Sequence, residues 1–338
     1  MVSTLRGYAP RASDTHRGCR VRILRFAPTL VMRRGRTRSP GQAAVDRLPI
    51  SGTLAHAHTY ARAVSQGIIG RLNLALCWVL AAATALLAVH FALTLGYLGQ
   101  DAHAYWATRD GDLYGVGPRR EDAFLYSPAF ALAIWPMVQL PWPAFFVAWV
   151  AIESAALVWL VRPIPLRWAV PVVLFCVCEL LPGNVFLLLA VMIALGVRHP
   201  AAWAFGILTK VTPGIGVLWF AARGQWRDVG TAVVATLAVV LVSAAVKPGW
   251  WEQWWSFLVT HSGESDPTFL PRCVAAFAIV VWGARTDRPW VLAVAVVMAL
   301  PVHGTFACLT PLAAIPRLLE GMKATDGSTL EPDHGTRV

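Results

Sequence analysis

The stretch from Leu72 to Leu98, LNLALCWVLAAATALLAVHFALTLGYL, decides the fold class of this chain. It contains no aspartate, glutamate, lysine or arginine. At a rise of about 1.5 Å per residue, a helix of this length exceeds the ~30 Å hydrocarbon layer of a bilayer. The stretch therefore predicts a transmembrane helix.

Apolar runs continue along most of the chain, separated by proline and glycine. The further segments predicted from them are at about 125–140, 143–161, 168–181, 185–197, 201–222, 228–246, 272–285, 289–302 and 305–319. Hydrophobic residues make up 57% of the 338 residues, and the mean hydropathy is +0.56. Both values are too high for a soluble chain of this length. We therefore predict an all-α, polytopic transmembrane helix bundle with about 9–11 hydrophobic segments.

A basic segment, residues 1–71, precedes these runs. It holds thirteen arginines against Asp14 and Asp46, a surplus of eleven that equals the formal net charge of the chain. Arginines before the first span indicate a cytoplasmic end. They are not interleaved with aromatic residues as in a nucleic-acid-binding segment. We predict a largely disordered cytoplasmic tail over 1–71, a membrane domain over 72–320, a polar tail over 321–338, and no nucleic-acid partner.

The arginines after the first span constrain the topology. Arg162, Arg167 and Arg198 each follow an apolar run, and the positive-inside rule favours the cytoplasmic side for all three. Strict alternation of spans from a cytoplasmic tail cannot place them all there. One segment between 125 and 197 is therefore predicted to be half-spanning or re-entrant.

Acidic side chains are concentrated in the loop that follows the first span. Five of the eighteen acids in the chain lie between residues 99 and 124: Asp101, Asp110, Asp112, Glu121 and Asp122. Asp101 comes just past the end of the span, close to lipid head groups yet wet enough to ionise. A carboxylate there can act as a general base toward a hydroxyl group. The alternative is an ordinary acid of a solvated loop.

Several motifs together resemble a known enzyme family. They are Gln100-Asp101-Ala-His103-Ala-Tyr105, Gly111-Asp-Leu-Tyr114, Phe124-Leu-Tyr126-Ser127-Pro128, Gly183-Asn184-Val185 and Lys210-Val-Thr-Pro213. Over about residues 72–258 the chain resembles the polyprenol-phosphate-mannose-dependent membrane mannosyltransferases of the C-type glycosyltransferase superfamily, family 87. Asparagine stands at position 184 where that family has glutamine, and the last third of the chain is poorly matched.

The resemblance implies a C-type glycosyltransferase fold and activity. A mannosyl or related unit would pass from a polyprenyl phosphate to a lipid or glycan acceptor on the outer face of the plasma membrane. Asp101 matches the catalytic base of the family, and the phosphate would leave with inversion. The expected partners are thus the lipid-linked sugar, its acceptor and membrane lipids. No glycine-rich nucleotide loop or metal-binding cluster is visible, so we expect no cofactor and no metal.

Lys210 is one of three lysines in the chain and lies inside an apolar run. An unpaired charge there costs roughly 2.5–3.5 kcal/mol on insertion scales. One hypothesis is that Lys210 contacts the phosphate of the donor, beside a helix break at Pro213. The other is a buried ion pair with Glu179 or Glu153, which also lie in apolar runs.

The other candidates for substrate binding are polar or aromatic. Tyrosines of the motifs are suited to contact a sugar, although interfacial tyrosines also anchor membrane proteins. Arg272 opens a helix on the outer side and is suited to bind a phosphate or lipid head group, or to snorkel. His103 is suited to assist the base or contact phosphate. The substrate-binding candidates are Lys210, Tyr126, His103, Tyr105, Tyr114, Asn184, Arg272 and His303.

Four tryptophans mark a further helix outside the apolar runs. Trp250, Trp251, Trp254 and Trp255 follow i, i+3 and i+4 spacing. This pattern predicts a short helix that lies in the membrane interface, on the same side as Asp101, with the tryptophans as an interfacial belt.

Two functions other than glycosyl transfer remain open from the sequence. A secondary transporter would use Glu153, Glu179 and Lys210 as an intramembrane charge relay, but no internal repeat typical of transporters is visible. A catalytically inactive, lipid-binding relative would fit the altered residue at Asn184. Loss of activity on removal of Asp101 distinguishes the transferase from both.

Overall fold

The computed structural model describes residues 50–118, 120–261, 266–301 and 306–328, with side chains from residue 69 to residue 322. Most of these residues are helical, and none of them lies in a β-strand. The helices are α1 (Ile50–Thr94), α2 (Gln100–Ala107), α3 (Pro128–Val138), α4 (Trp142–Val161), α5 (Leu166–Phe175), α6 (Val177–Leu180), α7 (Phe186–Gly196), α8 (Trp203–Lys210), α9 (Leu218–Ala222), α10 (Trp226–Val246), α11 (Pro248–Thr260), α12 (Phe269–Thr286), α13 (Val291–Ala299) and α14 (Ile315–Ser328). Longer 3-10 helices cover Thr212–Val217 and Phe306–Ala314.

Four helices are long and apolar enough to cross a membrane among the described residues. They are Ile69–Thr94 of α1, α4, α10 and α12. Shorter apolar helical segments lie at Pro128–Val138, Phe186–Gly196 and Thr212–Ala222. The predicted all-α polytopic bundle is confirmed, with four long apolar helices and several shorter ones.

The chain divides into two units, Met1–Ala63 and Val64–Val338. Of the first unit, only the start of α1 lies among the described residues. Most of the predicted N-terminal tail is therefore outside them, as are residues 329–338. α1 begins at Ile50, so it overlaps the end of the segment that composition assigned to the tail.

Helix α3 starts and finishes beside the same neighbour, α2. Just before α3, the hydroxyl of Tyr126 is 2.8 Å from that of Tyr105. Just after α3, the carbonyl of Leu140 accepts a hydrogen bond of 2.8 Å from Nε1 of Trp106. Eleven residues extend about 16 Å as a helix, roughly half of the hydrocarbon layer. α3 alone is thus too short to cross the layer, and the half-spanning or re-entrant segment between 125 and 197 stays a prediction.

The opposite end of the bundle is rich in arginine. Arg317 of α14 donates a hydrogen bond of 2.8 Å to the carbonyl of Trp159, near the end of α4. Gly321 of α14 adjoins the guanidinium of Arg198, just beyond α7. The ends of α4 and α7 therefore meet on one side, which we call the arginine-rich end. The side that carries α2 is called the α2 end.

The tryptophan helix is present as α11, but its tryptophans do not form a single outward belt. Trp250 is buried against Trp135 of α3, with ring centroids 5.7 Å apart. Trp255 is 66% exposed. Trp250 and Trp255 are five residues apart, so at 3.6 residues per turn they point about 140° apart around the helix axis. One therefore packs inward while the other stays exposed. The expectation of an interfacial belt is therefore wrong for Trp250.

Cysteine labelling tests the prediction of a half-spanning or re-entrant segment, taking α3 as that segment. In a cysteine-free background, we expect single cysteines at Arg167 and Arg198 to react with an impermeant maleimide from one side of the membrane. A cysteine at Asp112 should react only from the other side. A cysteine at Leu157, which is buried, serves as the unreactive control. Labelling of positions 112 and 198 from one side would contradict the re-entrant path.

Candidate active site

Asp101 is held at the start of α2 by hydrogen bonds to a distant turn. The backbone amides of Asp101 and Ala102 both donate to the carbonyl of Pro182, each at 3.0 Å. The amide of Gly99 donates to the carbonyl of Leu181 at 2.7 Å. The first amides of a helix have no acceptor within the helix, so this turn supplies them. The carboxyl group is thereby fixed against the segment between α6 and α7.

That turn requires glycine at position 183. Gly183 has φ +73°, a conformation that costs other residues about 1–2 kcal/mol. Its amide donates to the carbonyl of Glu179 at 3.0 Å, and its own carbonyl accepts from Nε1 of Trp149 at 2.8 Å. A Cβ at this glycine would lie 2.8 Å from the Cβ of Ala102. The absence of a side chain is what lets α2 approach so closely.

Asn184 contacts the carboxyl group of Asp101 directly. Its Nδ2 donates to Oδ2 of Asp101 at 2.8 Å, while its Oδ1 accepts from the amide of Val185 at 2.7 Å. The second bond fixes the amide orientation, because only the nitrogen then faces the carboxylate. The predicted site residue at 184 thus lies beside the predicted base, with asparagine long enough to reach it.

The surroundings of Asp101 have opposing effects on its acidity. Burial raises its pKa above the usual aspartate value, because the charged form loses hydration. The hydrogen bond from Asn184 and the positive charge of Lys210 act in the other direction, and the net pKa is raised. A carboxylate with a raised pKa binds a proton more strongly, which suits a general base near neutral pH.

Lys210 ends α8 at the predicted helix break. The next residue, Val211, has φ +56°, which is unusual for a β-branched residue, and Thr212–Val217 continues as a 3-10 helix. The ammonium group lies 4.9 Å from the ring centroid of Tyr126 and 4.5 Å from that of Phe186. It also interacts electrostatically with the carboxylate of Asp101.

The predicted alternative, an ion pair of Lys210 with Glu179 or Glu153, is wrong for the described residues. None of the carboxylate oxygens described lies within 4.0 Å of the Lys210 ammonium. The interaction with Glu179 is electrostatic and acts at longer range. Among the described residues, Lys210 therefore forms no salt bridge that would neutralise its positive charge.

The three candidate tyrosines form a hydrogen-bonded chain. The hydroxyls of Tyr105 and Tyr126 are 2.8 Å apart, and the hydroxyl of Tyr114 donates to the backbone carbonyl of Tyr126 at 2.8 Å. Tyr105 is 1% exposed. Burial raises the pKa of all three phenols, so they stay neutral. The chain positions Tyr126 beneath Lys210, and Tyr105 supports it from within the core.

The remaining candidates have partners elsewhere in the protein. Nδ1 of His103 is paired with Oδ1 of Asp122 at 2.5 Å. Nη1 of Arg272 donates to the backbone carbonyls of Met298 and Leu300 at 3.1 and 2.9 Å, so this arginine connects α12 with the end of α13. His303 lies outside the described residues.

Sequence reasoning missed two contributors to this site. Trp149 anchors the turn through its indole nitrogen, and the backbone carbonyl of Pro182 receives two amides of α2. Trp149 gave no signal, because a tryptophan in an apolar run reads as lipid-facing or core. Pro182 marked a segment boundary, but nothing in the sequence pairs it with α2.

Comparison with known proteins gives one match. The model of glycosyltransferase family 87 matches residues 124–319, more than half of the chain. No curated protein and no solved structure matches the chain. The matched range contains Tyr126, Asn184 and Lys210, whereas Asp101 precedes it.

The close approach of α2 can be tested with two glycines. Gly183→Ala should lower the melting temperature of the purified protein more than Gly224→Ala. Both have positive φ, which costs alanine about 1–2 kcal/mol. A Cβ at Gly224 meets nothing within 4 Å, so only Gly183→Ala adds an overpacking cost of about 1–3 kcal/mol. Equal melting temperatures would argue against the docking of α2 on this turn.

Proposed function

The chain belongs to glycosyltransferase family 87, and on this premise we propose that it transfers a mannosyl or related unit from a polyprenyl phosphate to a hydroxyl group of a lipid or glycan acceptor. Family membership establishes a membrane glycosyltransferase. The finer proposal is carried by one observation. The half-buried carboxylate of Asp101 interacts electrostatically with Lys210, and Lys210 forms no salt bridge among the described residues.

Asp101 is the proposed general base. It takes the proton of the acceptor hydroxyl as the oxygen forms a bond to the anomeric carbon. The bond between that carbon and the phosphate oxygen breaks at the same time, and its electron pair leaves with the polyprenyl phosphate. Attack opposite to the leaving group inverts the anomeric configuration. The hydrogen bond from Asn184 to Oδ2 leaves Oδ1 of Asp101 to face the acceptor.

Lys210 is the proposed partner of the phosphate. The leaving phosphate gains negative charge as the glycosidic bond breaks, and a nearby cation in a poorly hydrated site stabilises that charge. Lys210 is partly exposed and lies over the ring of Tyr126, which limits the positions that its ammonium can take. Tyr126 thus serves in this proposal as a support for Lys210.

The orientation proposed for the protein follows from its arginines. Arg198 and Arg317 lie at the arginine-rich end, which the positive-inside rule assigns to the cytoplasm. The α2 end, with Asp101, then faces the outer side of the plasma membrane. A donor carried by a membrane lipid is available on that side without a nucleotide.

A secondary transporter is less well supported. Membership of a glycosyltransferase family speaks against it. The charge relay of a transporter would also require Lys210 to pair with Glu153 and Glu179 in turn. No salt bridge of Lys210 with either glutamate is present among the described residues. Sugar transfer by the intact protein, lost in Asp101→Asn, would distinguish a transferase from an inactive relative.

Replacement of Asp101 tests the assignment of the base. Asp101→Asn should lower the rate of sugar transfer by about 10²- to 10⁴-fold, the usual contribution of a general base. The assay uses membranes with labelled polyprenyl-phosphate-mannose and a native lipid extract, at matched protein levels. Asp110→Asn is the matched control, because Asp110 lies in the same loop with a 77% exposed side chain. Equal rates for Asp101→Asn and the intact protein would exclude Asp101 as the base.

Replacement of Lys210 tests phosphate binding. Lys210→Met should raise the KM for the lipid-linked donor or lower kcat/KM by about 10- to 100-fold, since a hydrogen bond to a charged group is worth about 1.5–3 kcal/mol. Lys247→Met is the control: Lys247 is exposed and its ammonium lies over Trp250. If both variants have the kinetics of the intact protein, Lys210 has no role in donor binding.

A further inference from the structure

Two carboxyl groups are completely enclosed beneath Asp101. Glu153 of α4 and Glu179 of α6 both have 0% exposure. Both oxygens of Glu153 and Oε2 of Glu179 have no hydrogen-bond partner among the described residues. Neither group takes part in the proton transfer proposed above, so each needs a separate explanation. An unpartnered carboxylate ion in such surroundings is strongly disfavoured.

The fourth carboxyl oxygen of these two glutamates, Oε1 of Glu179, does have a hydrogen-bond partner. Oε1 of Glu179 accepts a hydrogen bond of 2.6 Å from the backbone amide of Phe186, the first residue of α7. The backbone carbonyl of the same glutamate accepts from the amide of Gly183. Glu179 therefore ties both sides of the turn that presents Asn184 and the Pro182 carbonyl to Asp101.

Glu153 faces the same region from α4. It lies one helical turn after Trp149, whose indole nitrogen donates to the carbonyl of Gly183. Its carboxyl group interacts electrostatically with Glu179 and with Asp101. The titratable groups around Asp101 are thus Glu153, Glu179, Lys210, Tyr105 and Tyr126.

The charges of this group must balance when the substrate binds. Lys210 is the one cation found to interact with it among the described residues. Three ionised carboxylates against Lys210 would leave a negative surplus where an anionic phosphate is to bind. If both glutamates are neutral, the negative charge of Asp101 and the positive charge of Lys210 balance.

We propose that Glu179 is a positioning residue that works as a neutral carboxylic acid, with Glu153 neutral beside it. Its Oε1 accepts the Phe186 amide and its proton resides on Oε2. The turn is thereby held without a charge that would compete with the donor phosphate for Lys210. This inference rests on the proposed function for its catalytic consequence, whereas the protonation of the two glutamates does not depend on it.

Infrared spectroscopy of the purified protein tests the protonation directly. Glu153→Gln and Glu179→Gln should each remove intensity from the carbonyl stretch of protonated carboxylic acids at neutral pH. Glu252→Gln, at an exposed position of α11, should instead remove carboxylate intensity. Loss of carboxylate intensity from either buried variant would overturn the inference, whether or not the protein shows transferase activity.

Kinetics test the positioning role. Glu179→Ala should lower kcat by about tenfold or more, because small displacements of a catalytic group cost that much. The acidic limb of its pH–rate profile should move to higher pH, since Asp101 loses the stabilising bond from Asn184 and its pKa rises. Glu179→Gln, which retains the acceptor oxygen, should restore most of the lost activity and the original profile.

The outcomes separate the two proposals. If Glu179→Gln is as impaired as Glu179→Ala while the intact protein is active, the acid itself exchanges a proton and the positioning role is wrong. If the intact protein transfers no sugar from the lipid-linked donor, the proposed function fails, and the infrared result alone decides the state of the glutamates.

Discussion

The hydrogen bonds from the start of α2 to the carbonyl of Pro182 are the contacts on which the candidate site depends. Backbone groups buried in a membrane protein need internal partners, since lipid offers none. Here the backbone amides of Asp101 and Ala102, at the start of α2, donate hydrogen bonds to the carbonyl of Pro182, just beyond the end of α6. Gly183 permits the close approach, and Asn184 in the same turn reaches Asp101. The contacts between α2 and this turn thus set both the packing of α2 and the environment of the Asp101 carboxyl group.

The broken helices have the same basis. The turn between α6 and α7 is largely buried by neighbouring helices, whereas Val211, at the break after Lys210, is 52% exposed. The amide of Val211 still bonds to the carbonyl of Ile207 at 3.0 Å, so the break leaves no stranded donor at that residue.

Buried charge limits how the site can be built. Asp101 and Lys210 interact without a salt bridge, and aromatic rings surround the ammonium group. A direct buried ion pair would add little net stability, because the cost of desolvating both charges offsets their attraction. The ammonium group of Lys210 instead lies over two aromatic rings, and the hydrogen bonds of Tyr105 and Tyr114 hold Tyr126 in place.

The sequence by itself determined the class of fold, the position of most helices, the helix break at Lys210 and the resemblance to a family that the comparison supports, because hydropathy, proline and short motifs are local properties. Its arginines also predict a half-spanning or re-entrant segment between 125 and 197, without showing which segment that is. Only the tertiary structure decided that Lys210 forms no ion pair with Glu153 or Glu179, that Trp250 packs inward, and that Trp149 and Pro182 support Asp101. These features depend on distances between residues far apart in the chain, and such distances are set by how helices pack, which no local pattern encodes.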